Sequence, residues 1–216
     1  MKKLMLCSLF PLHLFSQSQN NNSFYMQENP GKEAVLFAPN IISDEFGNRD
    51  MAISPDGHEI FYTLQFRNGF ALSTIMHTKK INGEWAKPEV ADFCGIYTDL
   101  EPAFSPDGKR LYFSSSRPVS GSKNKDFDIW YVTKTNGQWG NAISLDSTVN
   151  SKEDEYYASV ARNGNIYFTR AVKNREEDIM VCRYDNGKYS TAESLPDDIN
   201  STGDEFNAFV VPDEKF

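Results

Sequence analysis

Acidic and amide side chains recur at two fixed places ahead of a repeated four-residue turn. The turn reads Ser-Pro-Asp-Gly at Ser54–Gly57 and again at Ser105–Gly108. The two places lie nine and seven residues before the last turn position of each copy, and they hold Asn48, Asp99, Glu155 and Glu205 in one series and Asp50, Glu101, Tyr157 and Asn207 in the other. If the copies surround a common axis, these carboxylates form an acidic rim that could attract a basic peptide or a hard cation such as Ca²⁺.

The same carboxylates also have a structural interpretation. Side chains at the start of a strand often accept hydrogen bonds from nearby backbone amides. Their spacing is not that of an EF-hand loop, which favours the structural interpretation over a metal site. The residues that we expect to bind at the rim are Asp50, Asp99, Glu101, Glu155 and Glu205. No cofactor is expected, and Ca²⁺ is the one ion that this rim could hold.

Catalytic groups of familiar kinds are not evident in the sequence. His58 and His77 have no metal ligand at short spacing, and His13 falls in the apolar N-terminal run. No nucleophile elbow, phosphate-binding loop or zinc-binding helix pattern is present. We therefore expect no catalytic residue, while paired rim carboxylates leave glycan cleavage as an alternative.

Two coincidences indicate that the chain is a tandem repeat. The turn glycine recurs as Gly57, Gly108 and Gly164, with Glu214 in the fourth copy. A second block aligns without a gap as TIMHTKKINGEW, DIWYVTKTNGQW and DIMVCRYDNGKY, beginning at Thr74, Asp128 and Asp178. A period of about 50 residues is typical of propellers, solenoids and arrays.

Each repeat reads as two β-hairpins. The Ser-Pro-Asp-Gly turn closes the first, and the pair Asn136-Gly137, which a type I′ turn requires, closes the second. Four short strands per repeat predict an all-β protein, a β-propeller of four-stranded antiparallel blades. The repeated positions to which we assign a structural role are Asp56, Gly57, Asp107, Gly108, Asp128, Asp178, Trp85 and Trp139. For the tryptophans, packing between strands is favoured over sugar stacking.

The propeller is predicted over residues 34–216. The predicted blades span 48–93, 99–145 and 155–195, with a partial fourth blade over 205–216. Residues 34–42 read as a single strand that could complete the last blade and cover its edge. Three blades are few for a closed ring, so the chain is either a truncated version of a longer propeller, which we favour, or an open arc.

Several stretches resemble the WD-repeat-like propeller family typified by TolB, especially its exported members of the Bacteroidetes type. The matching stretches are AFSPDGKRLYFSSSR at 103–117, DIWYV at 128–132, NGQW at 136–139 and DEFNAFVVPDEKF at 204–216. The resemblance implies a propeller of about six blades that is periplasmic or secreted and binds proteins. It implies no shared catalytic set, because the matching residues belong to the scaffold.

The N-terminus has the pattern of a secretory signal peptide. Lys2 and Lys3 precede an apolar run over 4–15 that is too short to span a bilayer, and small polar residues follow at 16–19. Residues 1–19 are therefore predicted to be a signal peptide, and residues 20–33 a flexible leader. This pattern predicts a periplasmic or secreted protein, and no other segment reads as a transmembrane helix.

Charge and cysteine content narrow the class of partner. The net charge is −8 and no cluster of Lys and Arg could follow a phosphate backbone, which argues against nucleic acid. Cys94 and Cys182 are expected to be free thiols. The sequence thus predicts an exported, non-catalytic scaffold for protein–protein recognition. The alternatives are a carbohydrate-active lyase or hydrolase, which would bind glycan, and a truncated product without function.

Overall fold

Tight turns of the Ser-Pro-Asp-Gly type organise the chain into hairpins. In the first turn, Ser54 Oγ donates to Asp56 Oδ1 over 2.6 Å and accepts two backbone amides. Gly57 has a φ of 70°, in the left-handed region that glycine adopts without strain. Ser105 and Asp107 repeat the hydroxyl-to-carboxylate bond at 2.6 Å in the second turn. These side-chain bonds hold the turn in the geometry that its sequence predicts.

The computed structural model describes Gln27 and residues 31–66, 72–119, 126–171 and 176–215. Within these residues the protein is all-β and contains no helix. Three successive antiparallel sheets form three blades, and the predicted fold class, an incomplete β-propeller, is confirmed. The predicted signal peptide and most of the predicted leader lie outside the described residues.

Each blade contains an inner strand, a second strand, a long third strand and a short return segment. Blade 1 consists of β1 (Gly47–Ile53), β2 (Glu59–Gln65), β3 (Ser73–Ile81), β4 (Glu84–Trp85) and β5 (Glu89–Val90). Blade 2 consists of β6 (Asp99–Phe104), β7 (Arg110–Ser115), β8 (Asp128–Thr135), β9 (Gln138–Trp139) and β10 (Ile143–Ser144). Blade 3 consists of β11 (Glu155–Val160), β12 (Ile166–Ala171), β13 (Glu177–Cys182), β14 (Tyr184–Asp185), β15 (Lys188–Tyr189) and β16 (Glu193–Ser194).

The second hairpin of each blade turns at an Asn-Gly pair. Asn136 and Gly137 have φ values of 51° and 79°, so both central residues are left-handed, as a type I′ turn requires. The pairs at 82–83 and 186–187 have the same signs. The predicted second hairpin is therefore present in all three blades.

The hydrophobic core lies mainly between blades. One buried cluster joins Phe61 and Ile75 of blade 1 to Leu111 and Phe113 of blade 2. A second cluster joins blade 2 to blade 3 in the same way. Each buried aliphatic or aromatic side chain of this kind contributes about 1.5–3 kcal/mol, so neighbouring blades stabilise each other.

The structure differs from the prediction at residues 34–42. No extended strand forms here: residues 34–36 have no regular structure, bends and a turn follow over 37–42, and Ala38 and Ile42 pack against Ile60 and Tyr62 of blade 1. Three amides, those of residues 41, 42 and 43, donate to the Ala38 carbonyl oxygen. The amides of residues 40–43 therefore find their acceptors within the local turn.

Residues 204–211 follow the path of a fourth inner strand beside blade 3. The Glu205 amide donates to the Glu177 carbonyl oxygen over 2.7 Å, and the Asn207 amide donates to Thr169 Oγ1 over 3.1 Å. A turn follows in which Glu214, in the glycine position, has a φ of 53°. The segment therefore repeats the first strand and turn of the other blades.

Candidate functional site: the channel groove

The four inner segments meet in one groove of about 470 Å³, which we call the channel groove. Its lining residues come from equivalent stretches of the four repeats, at 50–55, 101–106, 157–160 and 207–212. Because propellers usually bind ligands at the mouth of the central channel, this groove is the candidate functional site.

A repeated bulge presents one residue of each inner segment at one end of the groove. Asp50, Glu101, Tyr157 and Asn207 have φ values of 54°, 60°, 54° and 59°. The register of the inner strand with the second strand shifts at the same point in blades 1, 2 and 3. A bulge changes the direction in which a side chain points. A non-glycine residue with a left-handed backbone carries about 1–3 kcal/mol of conformational strain. The four residues seven positions before the end of each turn therefore share one backbone feature, a left-handed residue at a bulge.

Three of these four residues form a hydrogen-bonded polar cluster with Arg49. The Arg49 guanidinium contacts Asp50 over 2.6 Å and Glu101 over 3.1 Å. The Tyr157 hydroxyl donates to Asp50 Oδ1 over 3.3 Å, and the Tyr157 amide donates to Glu101 Oε2 over 2.9 Å. Side chains of blades 1, 2 and 3 therefore share one network at this end of the groove.

Burial changes the proton affinity of this cluster. It raises the pKa of Glu101 to about 7, and the negative charge of Asp50 acts in the same direction. Burial and the adjacent Asp50 also raise the pKa of Tyr157 to about 12, so its hydroxyl is a donor at neutral pH. Glu101 is 6% exposed and is held by Arg49, by Ser114 Oγ and by a backbone amide.

The rest of the groove wall is largely apolar. Ile53 is 41% exposed and Phe209 is 81% exposed, and Phe104, which also lines the groove, packs against Phe61. Ala103 and Val160 complete the wall from blades 2 and 3. The groove therefore combines an apolar surface with one polar end.

Two of the predicted rim residues, Asp99 and Glu155, are fully buried and are not among the lining residues. Asp99 pairs with Arg117 over 2.6 Å, and Glu155 pairs with Arg170 over 2.7 Å. Glu205 accepts the Ser201 hydroxyl over 2.6 Å and also lies outside the lining. Of the five predicted rim residues, the groove therefore brings together Asp50 and Glu101. A binding role for the other three stays a prediction, and their contacts favour a structural one.

Arg117 and Arg170 make equivalent contacts that the sequence analysis did not predict. They occupy different positions in their repeats, yet Arg117 donates to the Phe93 carbonyl oxygen and Arg170 donates to that of Val149. Both carbonyls lie in the connection that leads into the blade of the arginine. Each guanidinium thus ties the first strand of its blade to the connection before it.

Asn150 and Asn200 are a second pair that sequence reasoning missed. The Asn150 side chain accepts the Ile129 amide over 2.8 Å and donates to the carbonyl oxygens of Ile129 and Leu145. Asn200 makes the same bonds in blade 3. The signal was present in the sequence, because NSKEDE at 150–155 and NSTGDE at 200–205 share one pattern.

The repeated residues that we predicted to be structural make different contacts in the different blades. Trp139 donates its indole N–H to Glu59 over 3.3 Å, and Trp85 packs with the blade 1 cluster around Ile60. Asp128 is 5% exposed, and burial followed by the nearby carboxylates raises its pKa to about 7. Asp178 accepts the Ser194 hydroxyl over 3.4 Å.

Metal and thiol chemistry have little support in the part of the chain that the structure describes. No group of three or more His, Cys, Asp or Glu side chains there could hold a metal ion. Cys94 and Cys182 are free thiols, and burial raises the pKa of both, with Cys182 at about 12. The Ca²⁺ expectation therefore stays a prediction.

The part of the chain that the structure describes contains no helix with the length and apolar character needed to cross a membrane.

Comparison with solved structures shows the fold. The chain is similar to a TolB protein of Agrobacterium tumefaciens, with 18% identity and a TM-score of 0.51, over 72% of this chain and 51% of that one. A puromycin-hydrolysing peptidase of Mycobacterium tuberculosis aligns at 15% identity and a TM-score of 0.49, over 69% of this chain and 22% of that one. Trypanosoma rangeli sialidase aligns at 12% identity and a TM-score of 0.43, over 67% of this chain and 30% of that one.

The TolB likeness supports a TolB-like, propeller-type fold. The chain spans about half the length of that protein and less of the other two. No family model matches the sequence, and no curated protein matches it.

Proposed function

We propose that the protein is a propeller-type recognition module that binds an extended peptide segment of a protein partner in the channel groove. The observation that carries this proposal is the groove itself, an apolar trough of about 470 Å³ with a polar cluster at one end. Sites that combine an apolar wall with a few fixed polar groups favour binding with a defined orientation.

The partner's chemistry follows from the two halves of the groove. Ile53 and Phe209 offer exposed apolar surface for the side chains of a bound segment. At the polar end, the two acidic groups Asp50 and Glu101 face one cation, Arg49, which favours a basic side chain by charge. The exposed side-chain amide of Asn207 also lines the groove and can hydrogen-bond a backbone amide. A segment with apolar residues and one basic residue fits both halves.

The place of action belongs to the same proposal. The signal-peptide pattern of residues 1–19 supports export to the periplasm or the medium. A recognition role in the cell envelope or outside it is consistent with the TolB-like fold.

The experiment is a display selection of random peptides on the wild-type protein, followed by calorimetry with the selected peptides. Phe209→Ser removes the most exposed apolar side chain of the groove, and Ile96→Ser is the matched control because Ile96 is 86% exposed and lies outside the groove. We expect Phe209→Ser to weaken binding by about tenfold or more, as loss of a contact residue does. Selection of no peptide, or equal binding by both variants, would contradict the proposal.

A glycan-cleaving function is the second candidate, favoured by the carboxylate pair. Glu101, with its pKa near 7, could donate a proton while Asp50 acts as the second carboxylate. Release of reducing sugar from an oligosaccharide panel, abolished by Glu101→Gln, would support it. The existing hydrogen bonds of Glu101 to three groups are the reason that recognition is proposed first.

A further inference from the structure

Equivalent crevices lie between successive inner strands, at the start of each second strand. The first crevice lies between blades 1 and 2, the second between blades 2 and 3, and the third between blade 3 and the segment at 204–215. The equivalent side chains at these places are Glu59, Arg110 and Asn165, each at or directly before the first residue of β2, β7 and β12.

The first crevice contains a buried carboxylate with a full set of donors. Glu59 is 5% exposed, and it contacts His77 Nε2 at 3.0 Å, Trp139 Nε1 at 3.3 Å and the Lys134 ammonium. Burial would raise the pKa of Glu59, but the bonds from His77 and Lys134 lower it to about 2. The carboxylate therefore joins blade 1 to blade 2.

The third crevice also contains a carboxylate. Glu214 accepts the Asn165 side-chain amide over 2.9 Å and the Tyr167 hydroxyl over 2.8 Å. It also accepts the side-chain amide of Asn163 over 2.8 Å. This carboxylate comes from the fourth turn and joins that turn to blade 3.

The second crevice contains donors without such a carboxylate. The Arg110 guanidinium lies 5.0 Å from the Tyr131 ring centroid and 3.5 Å from the Tyr112 hydroxyl. The Tyr112 and Tyr189 hydroxyls are 3.5 Å apart. Within the described ranges, no carboxylate forms an ion pair with Arg110.

The residues at the two equivalent positions explain why the protein supplies no carboxylate to this crevice. The position equivalent to Glu214 is Gly164, where an added Cβ would lie 2.6 Å from the Tyr184 ring. The position equivalent to Glu59 is occupied by Arg110 itself. Asp107 is the one acidic residue of the lining, and its carboxylate already accepts Ser105 Oγ and a turn amide.

The space and the charge of the second crevice suit an external anion. Its volume is about 680 Å³, and Lys109 and Arg162 line it together with Arg110. Burial raises the pKa of Tyr189, so its hydroxyl stays protonated and can donate a hydrogen bond at neutral pH. Arginine recognises carboxylates in a planar, two-pronged geometry, and the tyrosine rings provide surface for an apolar ligand body.

We propose that the second crevice binds a small carboxylate ligand, whose anionic group pairs with Arg110 and accepts hydrogen bonds from the tyrosine hydroxyls. The external carboxylate takes the place that Glu59 and Glu214 occupy in the neighbouring crevices. This site adjoins the channel groove and shares Ser105, Pro106 and Val160 with it. Arg110 and the two tyrosines line the second crevice and not the groove, so variants of these residues test the proposal independently of peptide binding.

The test is a titration of the ¹⁵N-labelled protein with benzoate in low-chloride buffer, followed by NMR. We expect saturable shifts with a Kd of about 1–10 mM. Arg110→Gln should raise the Kd for benzoate about tenfold or more, because the charge-assisted hydrogen bond is lost. Lys87→Gln removes one positive charge in the first crevice, and we expect its Kd to equal that of the wild type.

Three outcomes would overturn the proposal: shifts that do not saturate, equal weakening by Arg110→Gln and Lys87→Gln, or tighter binding of sulfate than of benzoate. If Arg110→Gln does not fold, Tyr189→Phe replaces it, since the ring is kept and only the hydroxyl is lost. Unchanged benzoate affinity in a folded Tyr189→Phe protein would then count against the proposal.

Discussion

At the residue scale, Glu59 and Glu101 show how position decides the behaviour of one side-chain type. Both are buried, but Glu59 is surrounded by His77, Lys134 and Trp139, whereas Glu101 shares its guanidinium partner with Asp50. The pKa of Glu59 is lowered to about 2 and that of Glu101 is raised to about 7. The two glutamates therefore give the stability of the protein opposite pH dependences.

Glu101 should destabilise the protein as the pH rises from about 4.5 to about 7. Its folded pKa is above the ordinary value of 4.5, so the folded state binds more protons between pH 4.5 and about 7. Stability is fully present below pH 4.5 and falls by an amount on the order of 2–3 kcal/mol as the pH reaches about 7. In Glu101→Gln the decline between pH 5 and pH 8 in urea unfolding should be smaller by this amount, because only the part from other buried acids such as Asp128 remains. Glu84→Gln, an exposed control, should keep the full decline. An unchanged decline in Glu101→Gln would show that the carboxyl is not the titrating group.

Glu59 should have the opposite effect at acidic pH. Its folded pKa lies below the ordinary value of 4.5, so its contribution is present above pH 4.5 and is lost as the pH falls towards about 2. The loss is on the order of 2–3 kcal/mol. Unfolding free energies at pH 5 and pH 2.5 should differ less in Glu59→Gln than in the wild type, and the exposed control Glu193→Gln should follow the wild type. Parallel curves for Glu59→Gln and the wild type would contradict the assignment.

The sequence predicts the turns but not the group of donors around Glu59, and the reason is physical. Gly57 and Asp56 act on residues within their own turn, so their types alone predict the local backbone. His77, Lys134 and Trp139 reach Glu59 from another strand and another blade, and only the packed fold brings them together. Contacts of this kind depend on the rotation between blades, which has no local pattern in the sequence.

At the element scale, the asparagine at the end of a blade stabilises the short return strand. β10 has two residues and pairs with β8 at Tyr131 and Trp130. Asn150 supplements this pairing with four bonds, to the two backbone groups of Ile129, to the Leu145 carbonyl and to Ser144 Oγ. A strand of two residues needs such side-chain support, because few ladder bonds fix it.

Replacement of Asn150 tests this role. Asn150→Ala should destabilise the protein by about 2–4 kcal/mol, since buried backbone groups lose their partners. Chemical denaturation measures the change, and Gln138→Ala at an exposed position serves as the control. A loss below about 1 kcal/mol would mean that water replaces the amide without cost.

The buried arginines act on whole strands in the same way. Arg117 joins Asp99 of β6 to the Phe93 carbonyl oxygen in the connection from blade 1. Arg117→Met should cost about 3–5 kcal/mol, because it leaves the fully buried Asp99 carboxylate without its cation. Addition of Asp99→Asn should recover part of this loss in thermal unfolding. A double variant less stable than Arg117→Met would show that the two side chains do not act as a pair.

At the scale of the whole molecule, the repeat explains the fold and the bulge explains the groove. The sequence period predicts three blades and a partial fourth, and the residues that the structure describes form three blades followed by one further inner segment. The period also places Asp50, Glu101, Tyr157 and Asn207 in one series, but not their left-handed backbone. The side-chain types do not predict this left-handed backbone, because acidic, tyrosine and amide residues all adopt the same φ here. The shared geometry accompanies the register shift that the first strand of each blade makes at this point.

The inner segment at 204–211 provides the last prediction, which concerns association between molecules. Each of β1, β6 and β11 pairs with a second strand, whereas residues 204–211 pair with none within the described part of the chain. The amides of residues 205, 207 and 210 bond to blade 3, but no strand ladder covers the segment, and Phe206 is 57% exposed there. Such an edge is prone to pair with another chain. Light scattering after size exclusion, at about 10 to 200 µM protein, should therefore show reversible self-association of the wild type, weakened about fivefold or more by Phe206→Ser. Ile96→Ser removes an apolar side chain that is 86% exposed on a loop and should leave association unchanged. A wild type that stays monomeric over this range would show that the edge is protected in solution, and equal effects of both variants would point to general surface hydrophobicity instead.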